Sequence, residues 1–89
     1  MAQVQFVDQA TNVRITKTMP TPKQITRLDV WLRKACKIIP EIPNTENGGE
    51  WRVGFQEANG DWIRYDLLHR TGRRAYVVIL RNLGKFGES

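Results

Sequence analysis

The 89-residue chain has one cysteine, one histidine and no apolar run longer than the six residues from Ala75 to Leu80. Each scarcity removes a class of protein. A single cysteine, Cys36, excludes an internal disulfide and a cysteine-based zinc cluster. It falls on the apolar side of a predicted helix and reads as a buried, inert thiol. A single histidine, His69, excludes a histidine pair for acid and base roles. Six apolar residues fall far short of the roughly 20 that cross a bilayer. The first residues, Met-Ala-Gln-Val-Gln-Phe, lack the basic and apolar regions of a signal peptide, so a cytoplasmic location is expected. No phosphate-binding glycine loop, nucleophile elbow or metal-ligand cluster occurs, and no metal or other cofactor is implied.

What is present is a basic, globular composition. Hydrophobic residues make up 40% and charged residues 26%, within the range of a folded domain. Eighty-nine residues suit one domain of modest stability, which buries roughly 60–65% of its extended-chain surface. Fourteen Lys and Arg against nine Asp and Glu give a net charge of +5, which favours anionic partners.

Alternation over 3–7 and 13–17 around Asp8-Gln9-Ala10-Thr11-Asn12 predicts an N-terminal hairpin, with Val4, Phe6, Val13 and Ile15 on its apolar face. Thr21-Pro22-Lys23-Gln24 then reads as a capping box that opens a helix, and Pro40 closes it. Ile25, Leu28, Leu32, Ala35, Cys36 and Ile39 share one side, with Trp31 at its margin. Lys23, Arg27, Lys34 and Lys37 form a basic spine on the other. Residues 40–49, with two prolines and two glycines, predict a long loop.

The C-terminal half predicts a three-stranded meander over 50–57, 61–69 and 73–81. Its turns, Ala58-Asn59-Gly60 and Arg70-Thr71-Gly72, are read as three-residue loops with a left-handed glycine. The first loop then pairs Phe55 with Ile63, Val53 with Tyr65, Trp51 with Leu67 and Arg52 with Asp66. The second pairs Tyr65 with Val77 and Ile63 with Ile79. One face becomes apolar, holding Trp51, Val53, Phe55, Ile63, Tyr65, Leu67, Ala75, Val77 and Ile79. The expected fold is α+β in the order ββαβββ, the meander packed on the helix.

The other face is expected to carry Arg52, Gln56, Trp62, Arg64, Asp66, Leu68, Arg74, Tyr76, Val78 and Leu80. Arginines interleaved with aromatics suit a nucleic-acid platform, where guanidiniums meet phosphates and rings stack on bases. Val78 and Leu80 equally suit burial, under the hairpin or against a second copy in a homodimer. Arg70, Arg73 and Arg74 crowd one turn beside His69 and suit a phosphate grip.

Three readings follow. The first is a non-enzymatic module that binds nucleic acid, DNA or RNA, or a nucleic-acid-associated complex. The helix spine is expected to dominate there, because its charges sit on one rigid element. The second is an inhibitor or adaptor of the kind phages and mobile elements encode, which binds the acidic surface of a protein partner. The third is an RNase-type toxin using His69, Arg73 and Arg74, with Glu50 or Glu57 as base. In size, charge and basic meander the chain resembles small ribosome-dependent RNase toxins, which place two helices before the meander, where this chain offers a hairpin and one helix.

Overall fold

The computed structural model describes residues 1–21, 28–45 and 49–80. Among the described residues the fold is α+β, with five antiparallel strands and one helix. In chain order they are β1 (Ala2–Asp8), β2 (Val13–Met19), α1 (Leu28–Ile38), β3 (Trp51–Ala58), β4 (Trp62–His69) and β5 (Arg74–Leu80). The expected hairpin and meander are not separate units. They join into one sheet of order β2-β1-β5-β4-β3, with β1 lying antiparallel beside β5.

Local chemistry accounts for the hairpins. Between β1 and β2, the Asp8 carboxylate accepts the Ala10 N–H at 3.0 Å, and Asn12 adopts the left-handed region (φ 59°) that asparagine tolerates. Between β4 and β5, His69 N–H donates to the Arg73 carbonyl and Gly72 N–H to the His69 carbonyl, both at 2.9 Å. Gly72 has φ +97°, as the three-residue loop requires. The expected pairs Tyr65↔Val77 and Ile63↔Ile79 are present.

The turn between β3 and β4 differs from expectation. Asn59 N–H donates to the Trp62 carbonyl at 3.0 Å, so Gly60-Asp61 is a two-residue turn, and the positive-φ glycine is Gly72, not Gly60. The Asn59 side-chain oxygen accepts the N–H groups of Asp61 and Trp62 at 2.8 and 2.9 Å. This bond system fixes the turn one residue later than the glycine suggests. The register then shifts between Val53 and Phe55, a bulge at Gly54. Trp51 pairs with His69, Arg52 with Leu68, Val53 with Leu67 and Phe55 with Asp66, in place of the four pairs expected. Trp51 and Val53 keep their face, whereas Phe55 and Gln56 exchange faces.

The core lies between one sheet face and α1. Val4, Phe6, Ile63, Tyr65, Leu67, Ala75, Val77 and Ile79 meet Trp31, Leu32, Ala35 and Ile39 there, with Ile42 from the following loop. Trp51 and Val53 are partly buried against this core, while Phe55 is 54% exposed and belongs to the other face. Cys36 is half-buried, and burial pushes its thiol pKa up. Burial also raises the Tyr65 phenol well above the ordinary tyrosine range, with the Asp29 charge adding to the rise. The proposed capping box from Pro22 onward and Ile25 lie outside the described residues, as does the side chain of Leu28.

Candidate nucleic-acid interface on the open sheet face

Strand pairing turns the side of the sheet away from α1 into a grid, because residues opposite one another on antiparallel strands share a face. One cross-strand row reads Arg14, Val7, Tyr76, Asp66, Phe55. On one side of it lies the row Arg74, Leu68, Arg52. On the other lie the rows Thr16, Gln5, Val78, Arg64, Glu57 and Thr18, Gln3, Leu80, Trp62. The N-terminal hairpin therefore widens this face from its edge and does not cover it. Among the described residues no helix packs on it.

Arg64 is the most constrained member. Its Nε donates to Asp66 Oδ1 at 2.9 Å, and its guanidinium lies 4.8 Å above the Tyr76 ring centroid. This replaces the expected Arg52–Asp66 pairing, since two residues on one strand share a face. The result is a fixed plate of guanidinium and phenol with Phe55 one strand beyond. Arg52 and Arg74 are exposed on either side of Leu68 and make no ion pair among the described residues. Trp62 is half-buried at the far end of the same face.

The three turn arginines are divided by the fold. Arg74 joins the open face. Arg73 points to the other side, where it donates to Asp8 at 2.9 Å and lies 5.5 Å from the Trp51 ring centroid. Arg70 sits 3.5 Å from Glu50. His69 is held at both ring nitrogens, Nε2 3.2 Å from Glu50 and Nδ1 2.7 Å from the Thr71 hydroxyl, with its ring edge-on to Trp51. The hydrogen bond to His69 and the Arg70 charge hold the Glu50 carboxyl below its ordinary pKa. These contacts brace the turn and leave neither ring nitrogen facing open solvent without a partner.

Lys34 and Lys37 are exposed on α1, and Lys34 stacks 4.8 Å from the Trp31 ring centroid. Lys23 and Arg27 lie outside the described residues. The helix surface is mixed in sign, because Arg33 approaches Asp29 at 3.9 Å.

Sequence reasoning missed Phe55 as a member of this face and assigned Gln56 to it; Gln56 instead pairs with Tyr65 on the helix side. The available signal was Gly54, since an isolated glycine inside a strand marks a bulge. Among the described residues no group of His, Cys, Asp and Glu could hold a metal ion, and no helix is long and apolar enough to cross a membrane. Comparison of the chain with family models, curated proteins and solved structures finds no match.

Proposed function

We propose that this chain is a non-enzymatic module that binds single-stranded nucleic acid on the open face of its sheet. One observation carries the reading: Phe55, Tyr76 and Trp62 share the sheet face turned away from α1 with Arg52, Arg64 and Arg74, and no helix among the described residues packs on it. Stacking of a base on an aromatic ring is worth about 1–3 kcal/mol and tolerates any base, and arginines between the rings reach the phosphates. A duplex hides its base faces, so this chemistry favours a single strand. Association is helped by the net charge of +5.

The test is fluorescence anisotropy with labelled single-stranded RNA, single-stranded DNA and duplex at two salt concentrations. Binding of the single strands should fall with salt, because neutralised phosphates release counterions, by about 0.7 in log–log slope per phosphate. Arg52→Ala with Arg74→Ala should flatten that slope by about 1.4. Lys34→Glu with Lys37→Glu, on the helix, should change affinity less. No binding at low salt by any strand overturns the proposal.

A second reading, an inhibitor or adaptor for an acidic protein surface, draws on the half-buried Val78, Leu80 and Trp62 at one end of the face. These would suit a protein partner or a second copy. A protein recovered from lysate that stays bound after nuclease treatment, with no affinity for free nucleic acid, would favour it.

A further inference from the structure

The open face is not uniform. A cavity of about 280 Å³ opens in it where Gly54 withholds a side chain. Leu68, Phe55, Tyr76, Asp66 and Arg64 are among the residues that line it. The volume is just under the roughly 300–1,000 Å³ of ordinary small-molecule sites, room for one flat ring system. Phe55, Asp66 and Tyr76 occupy successive strands of a single row. Two strand spacings put the backbones of Phe55 and Tyr76 about 10 Å apart, with the carboxylate between them.

We infer that this cavity is a nucleobase subsite for one unstacked base of the bound strand, and that it prefers guanine. The inference rests on the proposed nucleic-acid binding and adds a specificity to it. Two aromatic rings and Leu68 are among the lining, with Arg64 stacked on Tyr76, which suits a flat base and gives no preference by itself. Preference comes from Asp66. Its Oδ1 accepts from Arg64 Nε at 2.9 Å, which fixes the carboxylate's position in the row. A carboxylate offers about four lone-pair sites and no donor, so acceptor capacity remains after the arginine is satisfied. Guanine presents two N–H donors side by side on its Watson–Crick edge and can meet a carboxylate with both. Cytosine and adenine each present an amino group with an acceptor beside it. Uracil and thymine present one N–H flanked by two carbonyl oxygens, which a carboxylate repels. Arg74, at the rim of the cavity, is placed to meet the phosphate of the same nucleotide.

The experiment is anisotropy at fixed salt with eight-nucleotide oligomers: all-uridine RNA, the same RNA with one central G, C or A, and the thymidine-based DNA equivalents. A single guanine avoids four-stranded assemblies. The guanine oligomer should bind about tenfold tighter than the all-uridine one. Parallel behaviour of the DNA set would make the base the recognised feature, and a preference confined to RNA would add the 2′-hydroxyl. Asp66→Asn should reduce the ratio of guanine to uridine affinity, measured within that variant, to within about twofold. Gly54→Val, which puts a side chain into the cavity beside Leu68 and keeps the Asp66 carboxylate, should do the same, with circular dichroism confirming the fold. Equal affinity for all oligomers overturns the subsite and leaves the platform standing. Failure of every oligomer to bind overturns both. A guanine preference unchanged in two folded variants moves it to another part of the face.

Discussion

The two faces of the sheet alternate along the same strands, yet they obey different rules. On the helix side of β4 and β5, Ile63, Tyr65, Leu67, Ala75, Val77 and Ile79 are all buried. On the other side, Trp62, Arg64, Asp66, Leu68, Tyr76, Val78 and Leu80 are half-exposed, with rings and charges alternating. On β4 and β5 the helix side answers to burial and is apolar throughout. The open side lacks that constraint, and its composition is free to serve a partner. β3 links the two, because its bulge moves Phe55 from the first set to the second.

The widest separation should appear between a core deletion and an open-face deletion. Ile63→Ala, at a fully buried position, should cost about 2–5 kcal/mol, a large part of the stability of a domain this small. Denaturant melts would measure it, and a loss under 1 kcal/mol would mean that the helix side is not the core.

Tyr76→Ala is the counterpart on the open face. It should cost less than about 1 kcal/mol in a melt but weaken single-strand binding at least fivefold, the stacking contribution of one ring. Unchanged affinity would break the assignment of the open face to nucleic acid.

The two hairpin turns sharpen the comparison at smaller amplitude. Gly72→Ala places a side chain at φ +97° and should cost about 1–2 kcal/mol. Gly60→Ala, without positive φ and with open space around it, should stay within about 0.5 kcal/mol. Equal costs would restore the left-handed glycine expected at the first turn.

The smallest effect concerns the brace at the other end of the sheet. Glu50 has a folded pKa below its reference value of 4.5, so its contribution is present above about pH 4.5 and is lost as pH falls through the depressed folded value. Glu50→Gln should therefore lower the melting temperature slightly near neutrality and match the wild type in strong acid. A difference that persists in acid would show that ionisation of Glu50 is not what matters.

Much of this was legible along the chain. The α+β class, the helix running up to Pro40, the N-terminal hairpin and the second meander turn followed from alternation, helical spacing and Gly72. Arg52, Trp62, Arg64 and Arg74 were placed on one face by period-two counting, and the structure keeps them there. The first turn was misread because Asn59-Gly60 satisfies two turn geometries by composition, and the choice rests on bonds from the Asn59 side chain. The turn arginines looked like one cluster because they are near in sequence, whereas alternation sends Arg73 and Arg74 to opposite faces.

Periodicity and turn chemistry are local properties, so the sequence by itself determined the elements, their apolar sides except in β3 beyond Gly54, and a net charge of +5. Tertiary structure decided what depends on contacts between distant segments. β1 docks beside β5 and makes one broad sheet, so the hairpin extends the open face and does not lie over it. Asp66 takes Arg64 from its own strand in place of Arg52 across the sheet, and the same guanidinium lies over Tyr76 of β5. The bulge at Gly54 brings Phe55 to that same face and opens the cavity beside it. Register is fixed by the sum of pairings across the sheet, which no single segment encodes.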